Sequence, residues 1–224
     1  MRTKETFQKC VAQNMENGLS FVLATYKALD GFVAREIEES GVVLACREGC
    51  SNCCLQLISC TAMEADEVVG FIRSMPRTVR HPLEVRVKKH AIKWGRYYQK
   101  NERRLRINPF ISFQDWRGQP CVFLNQRGTC DIYPVRIMDC RTTTSLVPCT
   151  EASVSASIPC PLHYQGPGRF RFQSETWANN MILDEQLRRA RTMSVTPILH
   201  WLLVKMPPER RRKKVRAKKS RRRR

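Results

Sequence analysis

The chain has 224 residues, of which 42% are hydrophobic and 27% are charged, a composition typical of a globular protein with a substantial core. The formal net charge is +20, and no apolar run approaches the roughly 20 residues that a membrane-spanning helix needs. The opening residues, MRTKETFQKC, lack the apolar segment of a secretory signal. We therefore expect a cytoplasmic protein without a transmembrane segment, in which thiols stay reduced.

The first predicted element is a long N-terminal helix, assigned to residues 1–45. Apolar residues recur at three- and four-residue spacing from about residue 3 to 39, which is the period of an amphipathic helix. Gly18 and Gly31 weaken this helix without ending it. The pair Ser40-Gly41 is typical of a helix C-terminus.

Two further helices are predicted beyond the first group of cysteines. The segment LQLIS is short enough for a strand or an extended stretch. The following TAME is a capping box, with Thr61 at the N-cap and Glu64 three residues later, and it predicts a helix from about 62 to 74 that stops before Pro76. The stretch from about 80 to 106 is rich in Lys and Arg and keeps apolar residues such as Leu83, Val87, Trp94 and Leu105, which predicts a long basic amphipathic helix.

The rest of the body is less regular. Turn signals lie at 118–120 and 127–128. The segments near 110–113 and 121–124, which these turns separate, are predicted to be short strands or irregular loop. The following VRIMDCR predicts one or two helical turns. A loop at 142–174 and helices near 175–193 and 195–205 follow. The predicted fold class is mainly α: a small helical domain with irregular Cys-rich loops folded around a metal centre, plus a disordered basic tail. Its segments after the N-terminal helix are a metal-binding core at 46–141, a loop with helices packing on that core at 142–206, and the tail at 207–224.

The tail is the strongest charge feature of the sequence. Residues 210–224 contain twelve Lys or Arg and no acid, and the remaining body is still +8. Like charges repel and nothing apolar is present to be buried, so we expect disorder in isolation. Nucleic acid is the expected partner, an anionic membrane surface is the competing one, and a purely solubilising tail is the third interpretation.

Seven of the eleven cysteines fall into two groups, namely Cys46, Cys50, Cys53 and Cys54, then Cys121, Cys130 and Cys140. A reducing compartment and an odd total disfavour a disulfide framework. A short Cys-x-x-Cys spacing lets two thiolates approach one ion, and the second group supplies the ligands that complete the site. Zinc and an iron–sulfur cluster such as [4Fe–4S] both take four thiolates, so ligand chemistry leaves the two open.

Three blocks carry a family resemblance: CREGCSNCC, LISCTAMEADEV and QPCVFLNQRGTCDIYPVRIMDCR. Together they resemble the YkgJ-type cysteine-cluster family, a zinc- or iron-chelating domain with a CxxCxxCC motif. The first spacing here is one residue longer, which places Cys46 outside the family register, and Ile137 replaces a proline of the family pattern. The cysteine pattern is also similar to that of the flagellin lysine methylases, which are thought to carry an iron–sulfur cluster, and this favours iron–sulfur over zinc.

We expect the ligands to come first from Cys50, Cys53, Cys121, Cys130 and Cys140, with Cys54 and Cys46 behind them. Several thiolates around a metal leave net negative charge, so Arg136 and Arg141, which bracket Cys140, are predicted to offset that charge and to donate hydrogen bonds to sulfur. The sequence thus predicts a metal-binding cysteine-cluster protein. The alternatives are a structural-zinc protein that binds nucleic acid, and a metalloenzyme such as a methyltransferase related to the flagellin lysine methylases.

Overall fold

A computed structural model describes residues 3–46, 49–108, 111–146, 158–160, 163–165, 172–190 and 195–206. Within these ranges the chain is mainly helical, as predicted, and none of their helices is long and apolar enough to cross a membrane. The helices are α1 Lys4–Glu16, α2 Phe21–Ser40, α3 Ala62–Ser74, α4 Arg77–Ile107, α5 Ile111–Asp115, α6 Met138–Arg141, α7 Gln173–Ala190 and α8 Ile198–Lys205. Four short strands form two antiparallel pairs, β1 Ser59–Cys60 with β4 Thr196–Pro197, and β2 Ile158–Cys160 with β3 His163–Gln165.

The N-terminal region is a helical hairpin and not the single long helix predicted. Gly18 has a φ of 87°, a left-handed conformation that glycine adopts without steric cost and that ends α1. Ser20 then caps α2, because its side-chain oxygen accepts a hydrogen bond from the Leu23 N–H at 3.2 Å. The helix C-terminus predicted at Ser40-Gly41 is confirmed, because α2 ends at Ser40 and Gly41 forms a left-handed C-cap with a φ of 64°.

The helices after the first cysteine group follow the sequence signals closely. The capping box of Thr61 and Glu64 is present in both directions, and α3 occupies residues 62–74 as predicted. The long basic helix extends to Arg77–Ile107 and accommodates Pro82 within its second turn. The segment near 110–113 differs from the prediction, because Ile111–Asp115 forms a short helix, α5, where a strand or loop was expected.

Two hydrophobic clusters make up the core. The first joins α3, α4 and α8 to the cysteine-bearing loops, with side chains that include Ile72, Val87, Trp94 and Leu202. The second joins α1, α2 and α7 around residues such as Phe7, Phe32 and Ile182. The predicted 142–206 segment is therefore divided: α8 packs on the cysteine core, whereas α7 packs on the N-terminal hairpin.

A buried carboxylate connects the two clusters. Glu64 is 3% exposed, and one of its oxygens accepts hydrogen bonds from the Tyr26 hydroxyl at 2.7 Å and from the Met138 N–H at 2.8 Å. The other oxygen accepts from the Thr61 N–H at 2.8 Å and the Thr61 hydroxyl at 3.0 Å. One side chain thus holds α2, the start of α3 and the start of α6 together.

We predict that Glu64→Ala lowers the free energy of unfolding by about 3 kcal/mol or more, because it leaves several buried donors without an acceptor. Tyr26→Phe should cost less, about 1–2 kcal/mol, since it removes one donor and leaves the other bonds in place. Urea unfolding followed by circular dichroism measures both. Glu38→Ala, at an exposed position on α2, is the control, and a Glu64→Ala midpoint equal to that of this control would contradict the prediction.

Candidate metal centre

Two cysteines of the first group, Cys53 and Cys54, lie on a 3-10 turn formed by Asn52–Leu55. Two backbone hydrogen bonds dock this turn against the second group: Cys121 N–H donates to the Cys54 carbonyl at 2.6 Å, and Gly118 N–H donates to the Leu55 carbonyl at 2.9 Å. Segments more than sixty residues apart in the sequence therefore lie side by side in space. This junction places the segment that carries Cys53 and Cys54 beside Cys121, the first cysteine of the second group.

Cys121 and Cys130 lie at the two ends of a tight loop. Leu124 and Cys130 form an isolated antiparallel bridge, and the Asn125 side chain binds across the loop to Thr129 and Asp131 at 2.8 Å each. The loop is tied to α4 by Arg86, which pairs with Asp131 and donates to the Val122 carbonyl at 2.6 Å. The positions of both cysteines therefore depend on α4.

Cys140 is contributed by the short helix α6. The Met138 N–H at the start of this helix binds Glu64, and the Asp139 carboxylate accepts a hydrogen bond from the Ser59 N–H at 2.9 Å. Glu64 and Asp139 thus hold α6 against α3 and β1. Cys140 packs against the first hydrophobic cluster together with Cys121 and Cys130.

Four thiols lie within electrostatic range of one another. A hydrogen bond with the Cys54 side chain, together with burial, raises the pKa of Cys53 well above its ordinary value. Burial raises the pKa of Cys121 to about 12, and negative charge on Cys130 and Cys53 would add to the effect. Burial also raises the pKa of Cys130, with a further contribution from Cys53. The pKa of Cys140 is raised for the same reason, and Cys121, Cys53 and Cys130 all contribute.

We call Cys53, Cys121, Cys130 and Cys140 the thiol cluster. At neutral pH these raised pKa values keep the four groups protonated, since burial disfavours the charged thiolate. A bound cation would reverse this preference, because a coordinating thiol is deprotonated by the metal. Without such a cation, burial keeps these four cysteines as neutral thiols.

The other three predicted ligands occupy different positions. Cys54 neighbours the thiol cluster through its hydrogen bond with Cys53. Cys50 lies just before the 3-10 turn, and the Cys46 sulfur accepts a hydrogen bond from the Ser145 N–H at 3.2 Å. Neither Cys46 nor Cys50 is among the main neighbours that shift the pKa of the cluster thiols. Five of the seven predicted ligands thus affect one another's pKa, and their role as metal ligands stays a prediction.

Arg136 lies beside the thiol cluster. Its guanidinium lowers the pKa of Cys53 and of Cys130, opposing the effect of burial. The guanidinium stacks over the Tyr133 ring at 4.6 Å, and its Nε is buried without a hydrogen-bond partner among the described residues. A buried donor of this kind is costly unless an acceptor is present, which makes Arg136 a strong candidate to contact an anionic centre.

Arg141 has a different set of contacts from the one predicted. Its Nη1 binds both carboxylate oxygens of Asp30 at 2.7 and 2.6 Å, its Nε donates to the Arg136 carbonyl, and its Nη2 donates to the Pro134 carbonyl. The guanidinium also covers the Tyr26 ring at 4.4 Å. These contacts direct Arg141 toward α2 and give it a structural role. Its guanidinium donors already bond Asp30 and the two carbonyls, so they do not bond the sulfur atoms as predicted.

Several supporting residues were not identified as such from the sequence. Glu64 was recognised only as a capping residue, and Asp139, Asp30 and Arg86 were not assigned a role. Their partners lie far away in the sequence, so no local spacing signals them. Cys60 is a buried thiol whose pKa is raised by burial and, among other groups, by Glu64, Asp139 and Cys140.

Within the described ranges, the nine cysteines whose side chains are described form no disulfide: Cys10, Cys46, Cys50, Cys53, Cys54, Cys60, Cys121, Cys130 and Cys140. In those ranges no group of three or more His, Cys, Asp or Glu side chains has the geometry to hold a metal ion as placed. No protein-family model matches the chain, and neither a curated protein nor a solved structure shows significant similarity to it.

We predict that in metal-free protein Cys121 is alkylated by iodoacetamide far more slowly than Cys10. With a pKa of about 12, only about one Cys121 in ten thousand is a thiolate at pH 8. The rate should rise as the pH is raised toward that value, because more thiolate forms. Peptide mass spectrometry over time measures both rates, and urea-unfolded protein, in which the cysteines should react alike, is the control. Equal rates in the folded protein would contradict the prediction.

Proposed function

We propose that this protein holds a metal centre through the thiolates of Cys53, Cys121, Cys130 and Cys140, and that the centre is an iron–sulfur cluster in preference to zinc. The proposal rests on one observation: partly buried thiols from three distant segments of the chain lie close enough to affect one another's pKa. Four thiolates are the ligand set that both kinds of centre use. Cys54 is the nearest additional ligand.

The surroundings fit an anionic group. Four thiolates around one divalent ion, or around an iron–sulfur cluster, leave net negative charge, which burial alone would make costly. Arg136 supplies a nearby positive charge and a buried Nε that lacks a partner among the described residues. A hydrogen bond from that nitrogen to a ligand sulfur would satisfy the donor and tune the centre.

The two metals imply different functions for the same residues. An iron–sulfur cluster supplies one-electron transfer, whereas zinc with four thiolates cross-links the loops that carry them. In both cases the chain positions the sulfur atoms: the docked turn supplies Cys53, the loop anchored by Arg86 supplies Cys121 and Cys130, and α6 supplies Cys140. The resemblance in cysteine pattern to the flagellin lysine methylases supports the iron–sulfur choice.

We predict that anaerobically purified protein is brown and contains iron and acid-labile sulfide. Cys121→Ser and Cys140→Ser should each lose most of the bound metal and the visible absorption, because each removes one thiolate ligand. Metal analysis, sulfide analysis and absorption spectra measure this. Cys10→Ser is the matched control, since Cys10 lies on α1 against the second hydrophobic cluster.

The outcomes separate the alternatives. A colourless protein with stoichiometric zinc that the two cluster substitutions remove would overturn the iron–sulfur choice and retain the metal site. Protein that binds neither metal after anaerobic reconstitution, or that loses metal equally in Cys10→Ser, would overturn the site itself.

The two arginines provide a second test. We predict that Arg136→Gln speeds the loss of metal to a chelator with little change in unfolding, because it removes positive charge beside the sulfur atoms. Arg141→Gln should leave the rate of metal loss unchanged and lower the free energy of unfolding by about 2 kcal/mol, since it removes a buried guanidinium that bonds Asp30 and the carbonyls of Pro134 and Arg136. Chelator competition and urea unfolding measure the two effects. The same chelator rate in both variants would contradict the assignment of Arg136.

A further inference from the structure

The long helix α4 has two distinct faces. Its buried residues, Leu83, Val87, Ala91, Trp94 and Leu105, point into the protein. The rest of its surface is strongly basic, with eleven Lys or Arg and only two acids between residues 77 and 107. A helix that is anchored by one apolar face holds the charges of its other face in fixed positions.

Four exposed cations on α4 form one line, which we call the cationic stripe: Lys89, Arg96, Lys100 and Arg103. They follow one another at intervals of seven, four and three residues. At about 100° per residue they fall within an arc of about 60°, and at about 1.5 Å per residue they extend over about 21 Å. The stripe is therefore a rigid row of positive charge along one side of the helix.

The stripe is not neutralised by the protein. Four of the other cations of α4 form ion pairs: Arg80 with Glu84, Arg86 with Asp131, Arg104 with Asp115 and Arg106 with Glu102. These pairs use both acids that α4 itself carries. None of the four stripe residues forms a hydrogen bond or an ion pair with any other part of the chain that the structure describes. Four uncompensated cations held in a row repel one another, and a row of anions would relieve that repulsion.

We propose that the cationic stripe binds the phosphate backbone of double-stranded nucleic acid. A duplex presents one negative charge per about 1.7 Å of its axis, which is a dense linear array of anions suited to a linear array of cations. Binding to phosphates alone is independent of sequence and sensitive to salt.

The composition of the stripe favours a duplex over other anionic partners. Single-strand binding surfaces combine cations with aromatic side chains on which bases stack. The exposed aromatic of this segment, Tyr98, lies about 180° around the helix from Lys89 and contacts His200, with ring centroids 5.8 Å apart. A membrane-surface helix inserts an apolar face into lipid, whereas the apolar face of α4 is buried in the protein core. The polybasic tail at 207–224 lies outside the described residues, and the stripe is a separate positive region.

The test uses the full chain and a fluorescently labelled 20-base-pair DNA duplex, with binding followed by anisotropy over a range of salt concentrations. The stripe variant carries Arg96→Gln, Lys100→Gln and Arg103→Gln. The matched control carries Lys4→Gln, Lys9→Gln and Lys27→Gln, at exposed positions on α1 and α2. Both variants lower the net charge by the same amount, and all six substitutions are exposed, so circular dichroism should show the fold retained.

We expect the stripe variant to lose affinity by roughly one hundredfold at about 0.15 M salt, and its slope of log K against log salt to be shallower by about 2.7, since each phosphate contact on a duplex contributes about 0.9. The control variant should lose far less and keep the wild-type slope. Equal losses in the two variants would overturn the proposal, because net charge alone would then explain binding. Tighter, stripe-dependent binding to the matching single strand or to anionic lipid vesicles would overturn it as well.

Discussion

The buried carboxylate of Glu64 is the interaction on which the rest of this structure depends. It accepts hydrogen bonds from Tyr26 of α2, from Thr61 at the start of α3 and from Met138 at the start of α6. A charged group in the core is tolerated because its oxygens are saturated with donors. Tyr26 and Met138 belong to the second hydrophobic cluster, whereas Glu64 lies on α3 beside Ala65 of the first cluster. The carboxylate therefore sets how the N-terminal hairpin meets the cysteine-bearing core, and through α6 it sets the position of Cys140.

Two arginines five residues apart show how the same side chain takes different roles in one short segment. Arg141 is held by Asp30, by two carbonyls and by the ring of Tyr26, and it completes the contact between α6 and α2. Arg136 keeps a buried nitrogen without a partner among the described residues and lies near the sulfur atoms. Arg141 bonds its donors within the fold, whereas the buried Nε of Arg136 is left for the centre that we propose. This difference separates the two arginines more clearly than their positions on either side of Cys140.

The helix α4 links the proposed metal centre to the proposed nucleic-acid surface. Arg86 on this helix anchors the loop that carries Cys121 and Cys130, while Lys89 and the cations that follow it point away from the core. One rigid element thus supports the thiol cluster from one side and presents the cationic stripe on another.

The sequence by itself determined the features that depend on neighbouring residues. The capping box placed α3 at residues 62–74, the apolar period placed α4, and the two cysteine groups indicated thiols that converge. Only the tertiary structure decided that Gly18 breaks the N-terminal helix, that α7 joins the hairpin and not the cysteine core, and that Arg141 faces Asp30. The positions of α7 and Arg141 depend on partners far along the chain, which local periodicity does not record, because burial and hydrogen bonding are properties of the folded assembly of segments. At Gly18 the signals are local, but the same apolar period continues through α1 and α2, and only the packing of the two helices on each other shows the break.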